Sequence, residues 1–416
     1  MNSSNTSCSE RTAFNLIQMN GTWTRHNGHC QDKEGKLSDA KIYENKSDQG
    51  FSWTVVSPIV FTYRVIQCKD LLDPRNDTLL WGHIKDEELK GPTRNSKPVK
   101  RFIVIDKTVH ELYGSKVSQY FDAKGVIYKI LPLPTTEENK NMELVTRILE
   151  EVHQFGIDRR SEPIIALGGG VCLDVVGLAA SLYRRRTPYI RVPTTLLSYI
   201  DASVGAKTGV NFGGGKNKLG SYVPPVATLL DSSFFQTLPL RQISNGLAEM
   251  LKMALMKHRG LFELLEVNGR KMLHAKLQPS ETCGGFEQED GAAASMRIAI
   301  ETMLEELAPN LWEDDLDRLV DFGHIISPEL EMEKSRIIQC MLGLELPVWH
   351  QECSLVLVQK SFRERLRHSA GSLRMPLPTG LGRAEIFHDM IEDNVIYQVF
   401  QKWTEELSTL GCNQIN

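Results

Sequence analysis

Over the first 50 positions the chain is rich in Asn, Ser, Lys and Asp, with little periodicity in its apolar residues. Such a stretch cannot bury enough apolar surface to offset the entropy of ordering, so residues 1–50 are expected to be a disordered polar arm. The pattern changes at FSWTVVSPIVFTYRVIQC (51–68), whose β-branched and aromatic residues predict a strand pair. RFIVID (101–106) is a short apolar run ending in Asp, as in a strand buried on both faces. Helical spacing follows in NMELVTRILEEVHQFGI, then the strand EPIIALGGG, the helix VVGLAASLYRRR and the strand YIRVPTT. Strands and helices alternating in this way predict a parallel sheet with crossover helices, an architecture that binds nucleotides at its carboxyl edge.

From about Leu230 the period stays helical. ISNGLAEMLKMALMKHRGLFELLEV and AASMRIAIETMLEELAPNLWEDDLDRLVDFGH are long amphipathic stretches with no strand signal between them. The expected fold class is therefore α/β plus all-α: a parallel-sheet nucleotide-binding domain over 51–229, then a helical domain over 230–416.

Composition narrows the partners. A length of 416 residues, 41% hydrophobic and 24% charged, allows two to three domains, and a formal net charge of −4 provides no basic stripe for nucleic acid or an anionic membrane. A small-molecule partner is the expectation. The eight cysteines form no C-x-x-C pair, which argues against a zinc ribbon or a disulfide framework and for free thiols in a reducing compartment. With no basic-then-apolar leader and no run of about 18 apolar residues, a cytoplasmic protein is expected.

The chemistry gathers in four stretches. IIALGGGVCLDVVG places Gly168, Gly169 and Gly170 directly after a buried strand, with a helix expected from about Leu173; glycine lets backbone N–H groups approach a pyrophosphate at the positive helix end. The spacing is not G-x-G-x-x-G, and a purely structural turn reads the same way. VPTTLLSYIDASVGAKTGVN packs Thr194, Thr195, Asp201 and Lys207 among small residues, too polar for an ordinary core strand. NFGGGKNKLGSY joins glycines to Lys216 and Lys218, which suits an anion or a flexible loop. In NGLAEMLK, Glu249 and Lys252 are three apart and share a helix face.

Together these stretches resemble the sugar phosphate cyclases, the family of 3-dehydroquinate synthase. The resemblance spans about residues 50–330 and resumes in RMPLPTGLGR. It implies an NAD-binding α/β domain joined to a helical metal-binding domain, with oxidation, phosphate elimination, reduction and intramolecular aldol closure of one sugar phosphate in the cleft between them. Carried over motif by motif, Asp106, Glu137, Lys140, Gly168, Gly169, Gly170, Asp174, Thr194, Thr195 and Lys216 are expected to hold NAD, with Phe234 to Thr237 lining it. Arg185, Asp201, Lys207, Asn217, Glu249 and Lys252 are expected at the substrate, with Lys207, Lys252 and Asp201 catalytic. A solvated helix end is the plain alternative for Arg184 to Arg186.

Dehydroquinate synthases carry G-H-x-x-G-H preceded by an asparagine. This chain has Asp321 in place of the asparagine, Pro328 in place of the second histidine, and no lysine between Lys276 and Lys334. A substrate without a carboxylate is implied, and with EELAPNLWEDDLDRLVDFGH and LPVWH the chain looks like the 2-epi-5-epi-valiolone synthases of this family, which cyclise sedoheptulose 7-phosphate. A dehydroquinate synthase, a metal-dependent polyol dehydrogenase and an inactive NAD-binding homologue are the competing readings. The resemblance also implies a divalent metal, zinc or cobalt, on Glu249 and His324, and a homodimer. The family's third ligand, a histidine in H-G-E, has no counterpart; only His350, His368 and His388 follow His324. SPELEM runs straight into EKSRIIQCMLGLELPVWH, so a segment is expected to be missing at about Met332–Glu333, and His350, part of LPVWH, is a weak substitute ligand.

Overall fold

The computed structural model describes residues 16–19, 22–25, 30–31, 37–38, 41–47, 50–56, 61–84, 98–278, 291–313, 319, 333–350, 353–368, 373–389 and 393–409. The chain divides into two units, residues 1–62 and 63–416. In the first, β1 (Leu16–Met19), β2 (Thr22–Arg25), β5 (Lys41–Ser47) and β6 (Gly50–Val56) form an antiparallel sheet, and β3 (Cys30–Gln31) pairs with β4 (Leu37–Ser38). Strands therefore occupy part of the region read as an arm. Alternation within GFSWTVV is the local signal, diluted by the polar residues before it.

The expected strand pair at 51–68 resolves into two strands that do not pair. β6 closes the first sheet, whereas β7 (Arg64–Cys68) is the edge of a six-stranded sheet with β8 (Lys100–Asp106), β9 (Ile127–Leu133), β10 (Ile164–Gly168), β11 (Tyr189–Pro193) and β14 (Ala227–Asp231). The order is β7-β14-β11-β10-β8-β9 and every pairing is parallel. Crossovers run through α1 (Thr78–Trp81), α2 (Lys107–Ala123), α3 (Met142–Phe155) and α4 (Gly170–Leu182). Alternate strand residues face opposite layers, as a period of two requires. Phe102, Val104, Ile164 and Ala166 pack with α3 and α4, while Ile103, Ile105, Ile165, Leu167, Ile190 and Val192 pack with α2.

Local signals set the helix ends. The Asn141 side chain accepts from the N–H groups of Glu143 and Leu144 to start α3, and Gly156, at φ 68°, ends it in the left-handed region. α4 starts at Gly170, three residues before the expected Leu173.

β12 (Lys207–Phe212) and β13 (Gly215–Tyr222) make an antiparallel hairpin where a glycine-rich loop was one reading; Gly213 and Gly214, at φ 58° and 76°, turn it. Beyond β14, α5 (Leu240–Lys257), α6 (Arg259–His274), α7 (Gly291–Leu307), α8 (Lys334–Gly343), α9 (Leu355–His368) and α10 (Asp393–Thr409) form the helical part. It is not all-helical: β15 (Leu373–Gly380) and β16 (Arg383–Asp389) form a hairpin containing RMPLPTGLGR, held where Gly382 N–H donates to the Leu255 carbonyl. Nor do residues 230–416 form a separate unit, since Leu196, Tyr199, Ile200 and Val204 share one core with α5, α6 and α7. Val267, Leu342, Val356 and Leu357 remain exposed. Among the described residues no helix is long and apolar enough to cross a membrane, and Cys68, Cys172, Cys340 and Cys353 are free thiols.

Candidate active site

Strand order reverses between β8 and β10, and the chain leaves both strands at their carboxyl ends through Asp106 and Gly168. A crevice forms at such a switch point because the helices following the two strands lie on opposite faces. A cavity of about 580 Å³ opens there. Ten residues expected to hold NAD line it: Asp106, Glu137, Lys140, Gly169, Gly170, Asp174, Thr194, Thr195, Phe234 and Thr237.

The chain's own geometry fits a dinucleotide. Gly169 precedes α4 with no side-chain cap, so the helix presents its N-terminal N–H groups to the cavity, where a pyrophosphate is favoured. Gly168 cannot carry a side chain, because a Cβ would lie 2.7 Å from Cys172 Cβ; it shapes the turn without lining the cavity. Asp106 has both oxygens engaged: one accepts from the N–H groups of Thr108 and Val109, capping α2, and the other accepts from the Thr135 hydroxyl. Tyr113 stacks edge-on to Phe234 at 5.1 Å, and its hydroxyl lies 2.9 Å from Thr237 Oγ1.

Lys140 is the buried cation of the site. Its Nζ donates to Asp174 Oδ2 at 2.6 Å and Asn217 Oδ1 at 2.7 Å. Burial still raises the Asp174 carboxyl above its ordinary value, against the pull of Lys140 and Arg191. Asn217, expected at the substrate, is bonded to Lys140 and held at φ 52° with its N–H on Asn211 Oδ1. Lys216 does not line the cavity; its Nζ is exposed, 3.9 Å from Glu137 Oε1.

A second cluster adjoins the first through Asp174 and through Ala202, whose Cβ packs near Gly170. Asp201 lies in a π-helical turn, Ser198–Ala202. Burial and the Glu249 carboxylate push it up to about 6, against Lys252 and Lys207. On α5, Lys252 Nζ lies 2.5 Å from Glu249 Oε1, in ionic contact but out of line for a hydrogen bond, so that buried oxygen has no aligned donor. α5 approaches this closely because Gly246 abuts Leu196, where a Cβ would lie 2.3 Å from Leu196 Cγ.

Lys207 pairs with Glu313 at 2.8 Å, and the Tyr222 hydroxyl donates to the other Glu313 oxygen at 3.1 Å. Sequence reading missed Glu313 and Tyr222. Glu313 sits at φ 56°, a conformation that residue type does not announce. Arg185 is not brought in: Arg184, Arg185 and Arg186 are exposed, at φ 49°, 62° and 114°.

Among the described residues no three His, Cys, Asp or Glu side chains group as metal ligands. His324, Asp321 and Pro328 lie outside the described residues. His350 is exposed and belongs to no such group, beside Trp349, whose ring packs on Phe400 at 5.7 Å. The buried, donor-less Glu249 oxygen suits a cation ligand.

Comparison with known proteins agrees with this geometry. Residues 130–245 match the family model for the 3-dehydroquinate synthase N-terminal region. The chain is 42% identical over 370 residues to a 2-epi-5-epi-valiolone synthase of Actinomyces sp, covering 81% of this chain and 94% of the relative. It is 40% identical over 229 residues, 55% of each chain, to demethyl-4-deoxygadusol synthase of Trichormus variabilis. The structure superposes on ValA, the 2-epi-5-epi-valiolone synthase of Streptomyces hygroscopicus subsp. jinggangensis with NAD+ and Zn2+ bound, with TM-score 0.73 and 36% identity, covering 85% of this chain and all of that one. The two sequence matches differ in one respect. Since 81% of 416 residues is about 337, the 370-position match holds about 33 positions without a counterpart here, whereas 55% of 416 is about 229, the full length of the other match.

Proposed function

Because the chain belongs to the sugar phosphate cyclases, the family of 3-dehydroquinate synthase and 2-epi-5-epi-valiolone synthase, we propose that it converts sedoheptulose 7-phosphate to 2-epi-5-epi-valiolone with loss of phosphate. The observation that carries this reading is the adjacency of a dinucleotide cavity, closed by Lys140 and Asp174, to an acid–cation cluster of Asp201, Glu249, Lys252 and Lys207. A dehydrogenase needs the cavity and one acceptor for the hydroxyl proton, but no paired cations for a leaving group. A phosphate elimination also needs cations for the leaving group and a group that moves a proton.

Asp174, Lys140, Thr194, Thr195 and the α4 N-terminus hold NAD, which when bound accepts and returns a hydride at one carbon of the sugar. Lys207 and Lys252 face the phosphate ester and balance the charge that grows as the carbon–oxygen bond breaks. Asp201, raised toward 6, takes up a proton near neutrality more readily than an ordinary aspartate and serves as the proton-moving group. Glu249 and His324 are the metal ligands retained; a divalent ion bound there, zinc by analogy with ValA, supplies Lewis acidity toward a sugar oxygen.

We place a missing segment at Met332–Glu333 from the junction of SPELEM with EKSRII; the 33 or so unmatched positions support a loss of that size. With the third ligand gone, metal is held more weakly than in relatives. The protein is read as a cytoplasmic homodimer. The test is to incubate the full chain with sedoheptulose 7-phosphate, NAD and zinc, and to measure phosphate and cyclic product. Both are expected. Accumulating NADH without phosphate would replace the reading with a polyol dehydrogenase, and NAD binding without either product would mean an inactive homologue.

A further inference from the structure

We infer that Arg191 is a positioning residue for this reaction, acting by fixing the backbone that carries Asp201 and Lys207; the inference rests on the cyclase reading above. Arg191 lies in β11, between β10 and β14, and its side chain is 0% exposed. A buried guanidinium ordinarily demands a carboxylate partner. Among the described residues none forms an ion pair with it.

Its two terminal nitrogens donate to main-chain carbonyls instead, while the buried Nε has no aligned acceptor. Nη1 donates to Ala202 at 3.0 Å and to Gly205 at 2.5 Å, and Nη2 donates to Lys207 at 2.9 Å. Neighbours take the carbonyls between. Thr228, paired with Arg191 across the sheet, donates its hydroxyl to the Ser203 carbonyl at 2.7 Å, and the Tyr63 hydroxyl donates to Val204 at 3.0 Å. The carbonyls of residues 202, 203, 204, 205 and 207 therefore all end on side chains.

The local fold explains the need. The π-helical turn Ser198–Ala202 stops here, leaving carbonyls without intrahelical donors, and the chain reaches β12 only at Lys207. A cation also meets the negative end of the turn. Arginine fits because its planar fork serves three separated acceptors, whereas a lysine ammonium projects its donors from one point. Asp201 and Lys207 are the two ends of the clamped stretch, so these five bonds set the distance between the proton-moving group and the phosphate-facing cation.

The test compares Arg191→Lys and Thr228→Val with the parent, as NAD-loaded full chains. It reads kcat and KM for sedoheptulose 7-phosphate, the Kd for NAD, hydrogen exchange at 202–208 and the pH dependence of Lys207 acylation. For Arg191→Lys, kcat is expected to fall about 10–100-fold, the scale of a small misplacement of reacting groups, with KM and the NAD Kd little changed and exchange at 202–208 faster. Thr228→Val is expected to move the same readings by less, and it carries the test alone if Arg191→Lys does not fold. An unchanged kcat, or kcat, KM and NAD affinity lost in step, would overturn the inference. If the parent itself releases no phosphate, the cyclase reading fails separately, and unaltered exchange and Lys207 acylation in both variants would then sink the positioning role.

Discussion

Burial, and after it the neighbouring Glu249 carboxylate, makes the charge on Asp201 costly. The unfolded chain loses this proton near 3.8, whereas the folded chain keeps it to about 6. Between those values the native state binds more protons, so its stability falls as pH rises through the window and levels off above it. A two-unit gap corresponds to about 2–3 kcal/mol. Asp201→Asn should flatten the dependence of Tm on pH between about 4 and 6 while abolishing phosphate release; a slope equal to the parent's would assign that titration to another group. Residue identity announced Asp201, Lys207, Glu249 and Lys252, because a charge set among small residues is costly to bury unless it meets a ligand or a partner charge. It did not announce Glu313, Tyr222 or Arg191, whose roles depend on which backbone lies opposite. Asn217 was legible as a site residue, but its bond to Lys140 was not, because that depends on how the hairpin folds over the cavity.

At the scale of elements, strands buried on both faces were readable in RFIVID, EPIIALGGG and YIRVPTT because each is a short apolar run. β15 and β16 were not, since Pro376 and Pro378 depress the strand signal in an edge hairpin. Gly246 matters more than its place in a helix suggests. Gly246→Ala would push into Leu196 at the root of the Asp201 segment, and a loss of about 1–3 kcal/mol is expected from overpacking. Gly343 supplies the control: nothing lies within 4 Å of its Cβ position, so Gly343→Ala should be neutral or stabilising by up to about 1 kcal/mol. Equal Tm gains in the two variants would mean that helix propensity alone, and not the Leu196 contact, decides the outcome.

For the molecule as a whole, the sheet and its crossovers were legible and the helical part less so, because residues 230–416 share their core with the segment before them. The proposed loss of about 33 positions bears on both metal and stability. Purified chain is expected to carry well under one zinc per molecule, and insertion of the Actinomyces relative's segment between Met332 and Glu333 should restore one zinc and sharpen thermal unfolding. Full zinc occupancy in the chain as it stands, lost on His350→Ala, would show that His350 completes the site after all.

The pairing of β7 with β14 joins residues 64–68 to residues 227–231. During synthesis the earlier strand must wait for its neighbour, roughly 8–30 s at ribosomal rates of about 5–20 residues per second. Throughout that interval Val65 and Ile66 belong to an unfinished edge, open to other chains. The order in which this protein is made thus exposes one end of its sheet longest, and crowding on polysomes or a shortage of chaperones would be felt there first.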